Sequence, residues 1–197
     1  MKLNPYYTSK ELKEMGFKAL GRQVLISRTC RIYTPEDISL GSHVLIDDFT
    51  ILNGEITVGS YVHINSNCEL YAGEARIVIG DFCSVSSRTA LYALSDDFSG
   101  AYLTNPTAPR AYRNPKEQDI VLEDHVLIGT GCTVVPGVHI AEGCAFSAMT
   151  MIGKSIRKPW GLYAGNPAKR IWERSRDSIA YGEKLLPKKA AARDEEA

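Results

Sequence analysis

An all-β solenoid of parallel strands, with a short N-terminal helix and a C-terminal helix, is the fold this sequence predicts. Three observations predict it. From Leu122 to Arg157 the chain writes in sixes: LEDHVL, IGTGCT, VVPGVH, IAEGCA, FSAMTM, IGKSIR. Every block opens on an aliphatic or aromatic residue, and every fifth place is small or β-branched: Val126, Cys132, Val138, Cys144, Thr150, Ile156. A period of six is neither strand alternation nor helical spacing; it is the mark of a hexapeptide solenoid. Three blocks, about 18 residues, make one triangular turn with the opening aliphatic pointing inward. Each turn buries its apolar side by stacking on the next. One buried aliphatic is worth roughly 1.5–3 kcal/mol, so six in register outweigh local propensities.

Residues 1–19 precede the repeat. Thr8 and Glu11 form a T-x-x-E capping box for a helix reaching about Met15. Phe17 and Leu20 are expected to dock on the end of the solenoid and cover its open strand edges. The solenoid itself spans 20–157. Its sixes begin at Leu20, slip by two residues near Thr34–Pro35, and resume at Leu40. They slip again by three around Ala72–Ala75, and return at Ile79. Such slips belong at corners. Residues 96–119, DDFSGAYLTNPTAPRAYRNPKEQD, have no period. A loop this long in a compact repeat is usually functional, and its Phe98, Tyr102, Leu103 and Tyr112 are suited to packing on something. From 158 to 197 the chain leaves through KPWGLYAGNPAKRI. A helix is expected from Ala168 to about Leu186, with Ile171, Ile179 and Leu185 among its apolar positions, followed by a mobile tail, KKAAARDEEA.

Composition narrows the partners. The 197 residues fit one domain, and 23 basic residues balance 23 acidic ones. No global field argues for nucleic acid or a membrane. No apolar run approaches 18 residues and MKLNPYYTSK holds no signal-peptide core, so a cytoplasmic location is expected. Cys30, Cys68, Cys83, Cys132 and Cys144 all occupy fifth places, and no C-x-x-C exists. They read as buried, reduced thiols. His43 and His125 stand at fourth places, His63 and His139 at sixth places, all outward positions.

Three features then converge: the sixes, the excursion in mid-solenoid, and AGNPAK (164–169) after the last coil. Together they resemble the left-handed parallel β-helix acyltransferases, the hexapeptide family of galactoside, maltose and xenobiotic acetyltransferases, over about residues 20–172. The resemblance implies a left-handed coil, coenzyme A in its acetyl-CoA form as acyl donor, no metal and no acyl-enzyme. It implies a homotrimer with one site in each groove between neighbouring prisms. The pantetheine arm would lie along Thr130 and Ala148, and Gly165, Asn166 and Pro167 would close over it. Lys154, Lys158, Lys169 and Arg170 would surround the nucleotide phosphates.

Galactoside-type members place a histidine base in Tyr-x-x-x-His. Here Tyr92-Ala-Leu-Ser puts Asp96 at that position. A hydroxyl acceptor needs a base poised near neutrality, and aspartate, at ~3.9, is a poor one. An amine that has shed one proton attacks unaided, and a carboxylate binds and orients its ammonium form. The swap therefore points to an amino acceptor. It resembles the subgroup that acylates amino sugars carried on nucleotides for surface glycans, where a serine on the preceding coil joins the aspartate. Ser86 is that serine, an oxyanion donor. Asn65 matches an acceptor-contacting asparagine, and His63 lies near the expected groove. Asp97, Arg110, Tyr112 and Arg113 are the remaining candidates for the acceptor's sugar, diphosphate or base. Two alternatives stay open. One is an O-acetyltransferase with a histidine base, from this chain or its neighbour. The other is a γ-carbonic-anhydrase-like metal protein or a non-catalytic scaffold, although His125 and His139, 14 residues apart, do not make a zinc site.

Overall fold

The computed structural model describes residues 4–186, so the tail KKAAARDEEA lies outside the described residues. The chain is a left-handed parallel β-helix with two helices. Its interior is three columns of aliphatics, one per face of the prism. The first face stacks Ile26, Ile46, Ile64, Val85, Ile128 and Phe146. The second stacks Ile32, Leu52, Leu70, Leu91, Val134 and Ile152. The third stacks Leu20, Leu40, Val58, Ile79, Leu122 and Ile140. These are the opening residues of the blocks, and almost all are 0–2% exposed. We call the edge that follows each face the first, second and third edge.

Both phase slips and the long loop fall on the second edge. The strands Ile51–Val58 and Glu69–Ile79 run through that edge from second face to third, with a register shift between Asn53 and Glu55. Gly54 and Gly73 take φ of +91° and +65° there, and a side chain on Gly54 would strike Ala72. The long loop is a closed excursion with a neck. Leu94–Ser95 pairs antiparallel with Lys116–Glu117. Arg76 grips Asp119 through Nε and Nη2 at 3.1 and 2.7 Å.

The fifth place carries a second signal. Every cysteine there donates its thiol to a backbone carbonyl, from Cys30 to Asp47 O at 3.1 Å through Cys144 to Lys158 O at 3.4 Å. Thr50, Thr89 and Thr150 do the same through Oγ1. Cys and Thr are thus small residues that also satisfy corner carbonyls. Burial pushes the thiols of Cys30 and Cys68 up to about 11 and that of Cys83 to about 12. None is a nucleophile at neutral pH.

The fourth place turns the corner in left-handed backbone, at Gln23, His43, Phe49, Tyr61, Asn67, Phe82, Arg88, His125 and Met149. On the third edge this lines up rings. His43, Tyr61, Phe82 and His125 stack at centroid distances of 4.3, 5.2 and 5.0 Å, and Trp160 follows at 5.8 Å. His43 and His125 are therefore members of a ladder rather than unengaged surface groups.

Both ends are closed. α1 (Ser9–Glu14) has its capping box on Thr8 and Glu11, and Leu12, 1% exposed, joins the core with Phe17 and Leu20 packed against it. At the far end the expected long helix is replaced. Residues 169–173 form a strand antiparallel to Gly161–Ala164, which itself extends the first face by pairing with Phe146. The physical reason is an open edge: no coil follows 161–164, so its unpaired backbone takes the returning chain. Gly165, at φ +94°, makes the turn, and Ile171 and Trp172 suit a strand. Only α2 (Ser178–Leu185) is helical, seated with Gly182 against Phe82 and His125. Among the described residues no helix is long and apolar enough to cross a membrane.

Candidate active site

The first edge gathers most of the expected residues. Successive rungs, about 4.8 Å apart, place Asp47, Asn65, Ser86, Gly129 and Ser147 one above another, each N–H from Asp47 to Ser147 bonding a carbonyl on the next rung. Asn65 N bonds Val85 O and Ser86 N bonds Ile128 O, at 2.9 and 2.8 Å. Thr130 and Ala148 follow as the next residues of their rungs, both exposed, and Met149 N bonds Thr130 O at 2.8 Å. The rungs touch backbone to backbone: a Cβ on Gly129 would lie 2.6 Å from Phe146 O. That small-residue edge exposes main chain to an extended arm, so the residues present fit a pantetheine. Gly165, Asn166 and Pro167 are exposed at the top of the same edge.

Asn65 commits its Oδ1 to Ser66 N at 2.8 Å and Ser87 Oγ at 2.9 Å. Its amide NH2 remains for an acceptor. The Ser86 hydroxyl makes no hydrogen bond among the described residues, and its carbonyl receives the Cys68 thiol. His63 faces Asp47, Nε2 to Oδ2 at 2.7 Å, one rung below Ser86.

Asp96 stands elsewhere. It follows the neck strand on the second edge, where its Oδ2 accepts Asn105 N at 3.1 Å. The path to it is fixed by Tyr92, which stacks on Tyr71 and donates its hydroxyl to Glu69. A face of six residues at ~3.3 Å each puts the first and second edges roughly 15–20 Å apart. Ser86 and Asp96 of one chain therefore line different edges.

The remaining expected residues already have partners or positions within the single chain. Asp97 is 8% exposed and closes the loop, accepting Ser99 N at 2.6 Å and Asn114 Nδ2 at 3.0 Å. Those hydrogen bonds, Ser99's first, hold its carboxyl below the usual range; it is a clasp, with both oxygens taken. Arg110 lies 3.5 Å from Glu117 and 3.9 Å from Glu74 at the neck. The loop's Phe98, Tyr102, Leu103 and Tyr112 are 47–90% exposed and do not bury themselves on their own chain. Arg113 is half-buried, its Nε without a hydrogen bond among the described residues. The four basic residues do not surround one point on a single prism. Lys169 pairs with Ala164 at the first edge, and Arg170 lies on the first face, near Glu173 at 3.4 Å. Lys154 lies on the second edge, between Ile152 and the Ile156 that bridges to Ile140. Lys158 lies on the third, its carbonyl bonded by Cys144.

Two features escaped the sequence reading. Asp47, partner of His63, had a signal in the stacked second places. Arg88 stands at the fourth place of Ser86's own block, exposed at the first edge.

No family model matches the chain. A curated relative, the dTDP-4-amino-4,6-dideoxy-D-glucose acyltransferase of Escherichia coli, is 36% identical over 87% of this chain and 90% of its own length. AntD, an N-acyltransferase from Bacillus cereus solved with dTDP and 3-hydroxybutyryl-CoA, superposes with a TM-score of 0.90 at 43% identity, covering 94% of this chain and 98% of its own. Forms of AntD substituted at one serine hold dTDP-4-amino-4,6-dideoxyglucose and coenzyme A, and forms substituted at an aspartate ten positions after that serine hold dTDP and coenzyme A. A putative lipopolysaccharide O-acetyl transferase of Escherichia coli K12, WbbJ, is 25% identical over 81% of this chain and 94% of its own.

Proposed function

The chain belongs to the dTDP-aminodideoxyglucose N-acyltransferases of the hexapeptide-repeat type, and from that premise we propose that its acceptor is a thymidine-diphosphate-linked 4-amino-4,6-dideoxyhexose. It is an acyl-CoA-dependent N-acyltransferase of nucleotide-linked amino-deoxy sugars. The observation that carries the finer reading is the pairing of Asp96 with Ser86 ten residues earlier, the interval at which AntD was substituted.

Asp96 orients the acceptor's ammonium and takes the proton it sheds. The neutral nitrogen attacks the thioester carbon, a C–N bond forms, and the carbonyl oxygen becomes an oxyanion. Ser86's free hydroxyl donates to that oxyanion. As the carbonyl reforms, the C–S bond breaks, the nitrogen's second proton passes to the leaving thiolate, and Asp96 releases the first proton to solvent. Coenzyme A and an amide are the products. Thr130, Ala148 and the turn at Gly165–Pro167 hold the donor arm along the first edge.

Because Ser86 and Asp96 line different edges, we place them in one site across two copies of the chain. The first edge of one copy faces the second edge of the next, which also brings Lys154 of that copy toward the donor and gives the exposed loop aromatics a surface to cover. Three such grooves make a closed trimer. The reading puts the enzyme in the cytoplasm, with acyl-CoA and nucleotide sugars, on a route to surface glycan.

The test is direct. Incubated with dTDP-4-amino-4,6-dideoxyglucose and acetyl-CoA or 3-hydroxybutyryl-CoA, the enzyme is expected to release one CoA per amide, seen by mass spectrometry. Acylation of a dTDP-sugar hydroxyl, with the amine untouched, would reverse the reading.

A further inference from the structure

The first edge is poor in unpaired cations. Arg28 at its base is held by Glu11 at 2.8–2.9 Å through both guanidinium nitrogens. His63 beside it is held by Asp47. Lys169 is at the top. Between them stands Arg88, exposed and with no carboxylate partner among the described residues.

Its backbone is fixed. The φ is +60°, in the left-handed region that non-glycine residues rarely adopt. Its N–H bonds Ser66 O at 3.1 Å, and the following Thr89 donates to Gly129 O at 3.0 Å. The side chain leaves from the apex of the corner. Gly131, on the rung above, offers no side chain to cover it. An unneutralised guanidinium on a fixed corner of backbone, two residues from Ser86, has the form of an anion site.

In the function proposed above, the donor is not that anion: its charged end would sit by Lys169 and the Gly165–Pro167 turn, its arm would descend past Ala148 and Thr130, and only the thioester would reach the Ser86 rung. The other substrate carries its amine to that rung and a diphosphate on the far side of the sugar ring.

We propose that Arg88 binds the diphosphate of the nucleotide-sugar acceptor and thereby sets the enzyme's demand for a nucleotide-linked amine. This rests on the acceptor class inferred above. Arg88→Asn, which tolerates left-handed backbone, and Arg88→Lys, which keeps charge without the fork, are the variants. The first readout is calorimetric binding of dTDP alone, with CoA binding as the control for folding. Arg88→Asn is expected to weaken dTDP roughly 10–100-fold, Arg88→Lys by less, with CoA affinity unchanged. The second is turnover of dTDP-4-amino-4,6-dideoxyglucose against the free amino sugar. The variant is expected to lose kcat/KM through KM for the first and to match the wild type for the second. Unchanged dTDP affinity, or equal losses on both acceptors, would overturn the proposal. A wild type that binds dTDP through Arg88 yet makes no amide would strike the acylation reading instead and leave the diphosphate site standing.

Discussion

Asp96→Asn is expected to lower the turnover number for amide formation by roughly 10²–10⁴, the usual worth of a positioned acid–base group. The substitution keeps the shape of the side chain and an oxygen to accept Asn105 N, now 3.1 Å from Oδ2, so the loop neck is expected to hold. On the proposed mechanism, what is lost is the negative charge that would bind the ammonium and the site that would take its proton. The KM for acyl-CoA should not change, because in the proposed site Asp96 meets the acceptor's amine and not the donor arm. The pH profile distinguishes this from a structural defect. With the carboxylate gone, the acceptor must deprotonate in solution, so the variant's rate should climb with pH through the amine's own titration. Steady-state rates over a pH series check it. A variant retaining most of the wild-type rate at neutral pH would remove Asp96 from the chemistry.

The second large effect lies at the third edge. Trp160 is 1% exposed and ends the ring ladder, and its backbone N–H bonds Glu142 O at 2.9 Å. Arg174 lies over its ring at 5.8 Å and donates Nη1 to Gly143 O at 2.5 Å. Trp160→Ala is expected to cost about 3–5 kcal/mol, a fall in Tm of roughly 6–20 °C for a chain of this size. Gly143 makes room for the ring: a Cβ there would lie 2.3 Å from it, at φ +67°. Gly143→Ala should therefore also destabilise, and the double variant should lose less than the sum, since removing the ring relieves the clash. The strand Gly161–Ala164 starts next to Trp160, so CoA affinity should drop with Tm. Calorimetric scans of the three variants check this; additive losses would mean the two residues do not meet.

The aliphatic columns and the thiols were legible because a strict period of six assigns each place one environment. The second edge was half legible: three interruptions were visible, but not that they stack on one another, since the phase of a repeat does not say which edge an insertion joins. The C-terminal helix was misread for a related reason. Ile171, Ile179 and Leu185 suggest an amphipathic pattern, yet the open edge of 161–164 is a tertiary fact that outweighs propensity over 169–173. The basic residues Lys154, Lys158, Lys169 and Arg170 are close in sequence, but the last coil carries them around the prism. Asp97 and Arg110 look like site residues by charge and position, and that they also tie down the loop shows only in their partners, Ser99, Asn114, Glu117 and Glu74. Arg88 was overlooked because fourth places read as corner residues, which it also is.

The central claim is that a nitrogen acceptor meets Ser86 of one copy and Asp96 of its neighbour. Mixing inactive Asp96→Asn with inactive Ser86→Ala chains, after dissociation and reassociation, tests it most directly. Random assembly pairs an intact Ser86 with an intact Asp96 at about one groove in four, so amide formation should return to roughly a quarter of the wild-type rate. A mixture as inactive as its two components would place both residues in the same chain and contradict the account.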